Sequence, residues 1–293
     1  MKNIVVFNTE TAEHRVFDVS DSDAENYQEI RSLLVKALDL EIIYDQIIEA
    51  YWDFKNKVNY WNLRSISTPF ADYVLNHEIR SSLNSLAFNL FNLSKLYLDW
   101  HFNERKKRCF AFEITNDEAA RVAVESQRQD IYDSNIHYVV GCDLRGHSQH
   151  SALPVRTFTT GVRYDHETSS RTAHFSIFYD YDDLVKAGVP KKKLSHDIKL
   201  ELSEIIDGFV YAISQKHMLN RELSDSIVRD GRERYLTKWQ SLVNDTNFER
   251  YRCELHLEGG EKHVLSLEWF EVYGHLQLKH RRSIDYSAIR FEK

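Results

Sequence analysis

Glycine and proline are scarce in this chain, with nine glycines and three prolines among 293 residues. These are the residues that turn and stop a backbone, so their scarcity favours long helices over many short strands. Cysteine is sparse as well. Cys109, Cys142 and Cys253 are odd in number, widely spaced and without paired metal-ligand spacing, which reads as reduced, mostly buried thiols rather than a disulfide framework or a zinc site. No apolar run approaches a membrane span, and the stretch from Ile4 to Phe7 is far too short for a secretory signal. The expectation is a cytoplasmic protein with no membrane partner. A glycine-rich phosphate loop, a G-x-S-x-G elbow and an H-E-x-x-H helix are all missing. Positive charge is also in deficit. A net charge of −7 argues against nonspecific coating of nucleic acid, whose affinity comes from neutralising phosphates, so any RNA contact has to be local.

What is present points to a mainly helical fold with β-hairpin additions. Hydrophobic residues make up 42% of the chain, enough for a sizeable core in one large domain or two. Ile4 to Phe7 and Arg15 to Val19 read as a strand pair around the polar turn Asn8-Thr9-Glu10-Thr11. Ser20-Asp21-Ser22-Asp23 then carries helix-start chemistry, and a second helix is expected from about Asp39 to Asn62, with Ser67-Thr68-Pro69 as a break. Ile79, Leu83, Leu86, Leu90, Leu93 and Tyr97 follow at helical spacing and form a sustained packing seam. Asn89 and Asn92 lie within it, either as members of a polar pocket or as structural asparagines. Arg105-Lys106-Lys107-Arg108 is read as closing this helix, where four cations suit the helix dipole or an RNA contact. Asn116-Asp117-Glu118 starts another helix, and Asp133-Ser134-Asn135 caps the next.

After Pro154 the pattern alternates, predicting strands over 155–164 and 172–179. Ser195-His196-Asp197 is read as opening a long helix through Leu200, Leu202, Ile205 and Val210. Tyr251 to Leu267, with Gly259-Gly260 in its middle, is the best hairpin signal in the chain. The tail around Lys279-His280-Arg281-Arg282 reads as β-like and basic. Three consecutive regions result: residues 1–70 as a strand pair with accessory helices, 71–245 as a helical bundle with a hairpin inserted near 155–180, and 246–293 as a β-rich extension.

The stretch with most chemistry is Leu144-Arg145-Gly146-His147-Ser148-Gln149-His150. Arginine matches phosphate oxygens with a permanent charge, and histidine exchanges protons near neutral pH. Four residues separate the arginine from His150, on a helix that Leu153-Pro154 ends. This arrangement resembles the HEPN superfamily, helical proteins marked by an arginine followed after four to six residues by a histidine. The exit Gln149-His150-Ser151-Ala152-Leu153-Pro154-Val155 and the helix from Asn84 to His101 are similar to a bacterial branch of it, over roughly residues 74–155. The resemblance implies a HEPN-like bundle and, as its functional expectation, a metal-independent ribonuclease of toxin or phage-defence type, with no cofactor, a homodimer, and an antitoxin or defence-system partner.

In that reading His150 is the general acid or base and Arg145 clamps the phosphate, while RNA supplies its own 2′-hydroxyl nucleophile. His147, Gln149 and Asn89 are auxiliary candidates, and Arg105, Lys106, Lys107 and Arg108 are candidates for RNA binding. Five residues along a helix place Arg145 and His150 about 140° apart, which dimerisation would resolve by joining motifs from two chains. Gly146 departs from the family, where a polar residue usually follows the arginine. A HEPN-like binding module without catalysis, and a scaffold or ligand sensor on the same bundle, remain the alternatives. A metal site is disfavoured, because His147 and His150 share a helical face but no third ligand stands at recognisable spacing.

Overall fold

Forty-seven residues with neither glycine nor proline form one unbroken helix near the start of the computed structural model, which describes residues 2–67, 72–243, 248–283 and 285. The chain order is β1 (Asn3–Asn8), β2 (His14–Asp18), α1 (Asp21–Ser67), α2 (Tyr73–His101), β3 (Phe102–Asn103), β4 (Arg108–Cys109), α3 (Phe110–Thr115), α4 (Glu118–Ser134) and α5 (Ile136–His150). There follow β5 (Thr159–Asp165), β6 (Ser170–Ser176), β7 (Phe178–Asp180), α6 (Tyr181–Ala187), β8 (Lys199–Glu201), α7 (Leu202–Gln240), β9 (Tyr251–His256), β10 (Lys262–Val264) and α8 (Glu271–Lys279). The fold is mainly α. Among the described residues no helix is long and apolar enough to cross a membrane.

The described residues fall into two compact units, those within 1–42, 111–117 and 221–281 and those within 43–110, 118–220 and 282–293. In the first, an antiparallel sheet runs in the order β10-β9-β1-β2. Ile4 faces Leu255 and Val6 faces Cys253 across the β1–β9 ladder, and all four are buried, as the period-two alternation of a half-covered sheet requires. The Asn8 side chain accepts from the backbone N–H groups of Glu10 and Thr11, which closes the β1–β2 turn. Tyr27 of α1 meets Tyr235 of α7 edge to face at 5.4 Å between ring centroids. Deeper in the unit, Arg221 donates through Nε and Nη2 to both carboxylate oxygens of Glu41.

The second unit is a helical bundle. Buried residues of α2 include Ile79, Leu83, Ala87, Leu90, Phe91, Ser94, Tyr97 and His101; of the expected seam, Ile79, Leu83, Leu90 and Tyr97 are buried and Leu86 and Leu93 half-buried. Helices α5 and α7 approach at two glycines: a Cβ on Gly141 would lie 2.5 Å from the Phe209 ring, and one on Gly208 would lie 2.6 Å from His137 Cβ. No side chain fits at either point. Asn84 on α2 exchanges two hydrogen bonds with the backbone of Val155, donating to its carbonyl at 3.0 Å and accepting from its N–H at 2.7 Å. The exit from α5 is thereby pinned to α2 in a buried position.

Several sequence expectations need correction. A single α1 replaces two helices, because nothing between Asp21 and Ser67 interrupts helical hydrogen bonding; Thr68 and Pro69, the expected break, lie outside the described residues. Residues Lys199–Glu201 pair as β8 with β7, so α7 begins at Leu202, and the Glu201 carboxylate accepts from the N–H groups of Ser203 and Glu204 at the helix start. Instead of closing α2, the cationic run forms the β3–β4 turn. The segment expected to be β-like at the tail contains helix α8, ended at Lys279. Each compact unit is built from segments distant in sequence, and β1 pairs with β9.

Candidate functional site

Helix α5 is capped by Asn135, whose side chain accepts from the Tyr138 N–H at 3.0 Å. Its inward stripe is Tyr138, Val139, Val140, Gly141, Leu144 and Ser148. Arg145 lies beside that stripe, half-buried, and its Nε is shielded from solvent without a hydrogen-bond partner. The guanidinium charge is felt at Tyr138, Cys142 and Asp143. Burial pushes the Asp143 carboxyl up to about 6, with Arg145 opposing the rise. His150 is exposed in the last turn. Since α5 is helical through both residues, Arg145 and His150 leave it on different sides and are not brought together within one chain.

The auxiliary candidates divide between two directions. His147 Nε2 lies 3.1 Å from Arg156 Nη2, and burial followed by the Arg156 charge lowers its pKa. The guanidinium therefore donates and the neutral ring accepts. This pair edges a cleft of about 100 Å³ that also involves Leu144, Pro154, Phe178 and Tyr179. Gln149 donates to Asn92 on α2 at 2.8 Å, a polar tie between the two helices. Asn89 is exposed on α2, and among the described residues no hydrogen bond joins it to Arg145 or His150. A Cβ on Gly146 would meet nothing within 4 Å, so packing does not demand glycine there. Arg105, Lys106 and Lys107 are exposed on the β3–β4 turn, whereas the Arg108 guanidinium sits 4.9 Å over the Trp100 ring.

A second group, unmarked in the sequence reading, surrounds Tyr138 from α7, α4 and α2. Lys216 is fully buried, with Nζ 4.9 Å from the Tyr138 ring centroid and no hydrogen-bond partner. Burial lowers its pKa to about 8. Arg128 of α4 stands 4.6 Å over Phe102 and its charge reaches Tyr138, Lys216 and His101. His101 is held down to about 3, first by burial and then by Lys216; Nδ1 engages Asn220 while Nε2 is unpartnered. Tyr97 accepts from Asn220 at 3.1 Å, and Tyr44 stacks on His217 at 3.9 Å between centroids.

The signal for this group lay in α7. Ile206, Val210, Ile213, His217, Asn220 and Ser224 continue one buried helical stripe, so its apolar register passes into polar residues around Lys216 without leaving the core. Among the described residues, no group of three or more His, Cys, Asp or Glu is placed to hold a metal. Compared with known proteins, the chain matches no family model, no curated protein and no solved structure.

Proposed function

We propose that this chain is a HEPN-like, metal-independent endoribonuclease that works as a homodimer, with Arg145 of one copy and His150 of the other acting on one phosphate. The observation carrying the reading is Arg145 itself: a half-buried guanidinium whose Nε has no partner, on the same helix as an exposed histidine. Buried cationic nitrogens without partners are costly, and a phosphate oxygen satisfies them. The exposed His150 would move the proton. Different sides of one helix are compatible with this chemistry only when two helices meet. A HEPN-like RNA-binding module without cleavage is the second reading, favoured by that same separation and by Gly146.

The test uses complementation. Purified protein with a chelator present is expected to cleave single-stranded RNA to 2′,3′-cyclic phosphate ends and to spare DNA, which lacks the nucleophile. His150→Ala should lower the rate by about a hundred- to ten-thousandfold, and Arg145→Ala should also abolish most cleavage. Co-expressed as mixed dimers, the two variants should regain about one quarter of wild-type activity, since half the dimers are mixed and each has one intact site. A requirement for a divalent ion, or full activity in both variants, would reject the proposal. Loss in each variant without recovery in the mixture rejects the two-chain site, and RNA binding without cleavage selects the binding module.

A further inference from the structure

One phenol in the second unit, Tyr138, has a buried lysine amine over its ring and feels the charges of two arginines, and the amine has nothing to pair with. Lys216 is fully buried, its Nζ lies over Tyr138, and that amine makes no hydrogen bond. An ammonium in such surroundings is strongly disfavoured unless a counter-charge accompanies it. Attraction to the Tyr138 ring offsets part of this cost. Among the other neighbours Cys142 favours the ammonium and Arg128 opposes it. Arg128 repels Lys216 directly, and Arg128 and Arg145 both act on Tyr138. Cys142 and His101 are the other titratable groups facing the amine, and burial keeps both neutral near pH 7. The Asp143 carboxylate is felt at Cys142 and Arg145, whereas no carboxylate acts on Lys216 among the described residues.

A second observation is independent of that amine. Arg145 Nε is also buried without a partner, as is His101 Nε2. Arg128 and Arg145 are half-buried and Lys216 is fully buried, and the charges of both arginines reach Tyr138, over whose ring the Lys216 amine lies. We infer that Arg128, Arg145 and Lys216, gathered about Tyr138, form a binding site for a phosphate-class oxyanion. A phosphate dianion supplies the missing negative charge, and its oxygens accept from two planar forks and one ammonium. Free phosphate, a nucleotide phosphate and the terminal phosphate of an RNA share this chemistry. The site has Arg145 in common with the RNA reading and does not depend on cleavage.

Isothermal titration of the full chain in low-salt chloride buffer at pH 7 tests the inference, with inorganic phosphate as the first probe. The other arms are a nucleoside monophosphate and one oligoribonucleotide with and without its 5′-phosphate. Saturable binding of phosphate or a phosphomonoester is expected. Lys216→Met, which replaces the amine by an unbranched apolar chain, should remain folded by circular dichroism and weaken binding by about tenfold or more. Arg128→Gln should weaken it similarly, while Arg163→Gln, on the exposed face of β5, should not. Preference for the 5′-phosphorylated oligonucleotide assigns the anion to RNA ends; tighter binding of the small phosphates assigns it to a free ligand. No saturable binding at millimolar concentration, or unchanged affinity in folded Lys216→Met, overturns the inference. Cleavage is not read in this experiment, so failure of the anion site and failure of the nuclease reading are separately visible.

Discussion

Two buried nitrogen bases in the second unit are held against their own charge, and each makes stability depend on pH. For Lys216 the folded value of about 8 lies below the ordinary lysine value of 10.5. Below about pH 8 both folded and unfolded chains carry the ammonium, and the burial cost is fully present. Between about 8 and 10.5 the unfolded chain binds more protons, so stability rises with pH there. The shift corresponds to about 3 kcal/mol. Lys216→Met is therefore expected to be more stable than wild type by about that amount at pH 7 in phosphate-free buffer, with the gap closing by pH 10 in urea titrations. An equal gap at both pH values would show that the amine is not the source. His101 acts in the opposite range. Its folded pKa of about 3 lies below that of an unfolded histidine, so its contribution is complete above about pH 6.5 and is lost as pH falls toward 3.

Helix α5 owes its position to the absence of side chains at one point and to their chemistry at others. Gly141 lets Phe209 of α7 approach, and an added methyl would sit 2.5 Å from that fully buried ring. Gly141→Ala gains up to about 1 kcal/mol of helix propensity but forces overpacking worth about 1–3 kcal/mol. The expected net result is a lower thermal midpoint. Gly146→Ala meets nothing within 4 Å and keeps only the propensity gain, so its midpoint should rise. If both variants shift the same way in calorimetry, close α5–α7 packing is not what Gly141 provides. The Asn135 cap, the α2 seam and the Asn84 clamp on Val155 then fix where Arg145 emerges.

Across the whole molecule, the first unit is closed by contacts distant in sequence. Glu41 and Arg221 are 180 residues apart, with side chains 3% and 12% exposed. Removing one partner strands a buried charge, and Glu41→Ala is expected to cost about 3–5 kcal/mol. The paired replacement Glu41→Met with Arg221→Met should recover most of this loss, because two apolar chains leave no charge behind. Urea midpoints of the three proteins check the sign; a double variant no better than Glu41→Ala would assign the stability to the Arg221 contacts with the Leu276 and His280 carbonyls. The sheet has the same non-local character, since β1 finds β9 as well as its neighbour β2.

Local chemistry by itself determined the helices and hairpins. The helical spacing of α2, the Asn135 cap and the Gly259-Gly260 turn each act through residues a few positions apart, so the sequence states them directly, whereas the unbroken length of α1 reads from local signals as two helices. Even so, β8 was read as helix, because its strand character comes from pairing with β7. The motif residues Arg145 and His150 were legible as residue types on one helix, but their separation onto different sides becomes consequential only once α5 packs against α2 and α7. Lys216, Arg128 and His101 were not singled out at all. They lie on three helices, and only tertiary packing buries the amine, gathers the cations about Tyr138 and keeps carboxylates away from it. Charge in a sequence is a property of single residues; its cost, and therefore its use, depends on what solvent and partners the fold leaves beside it.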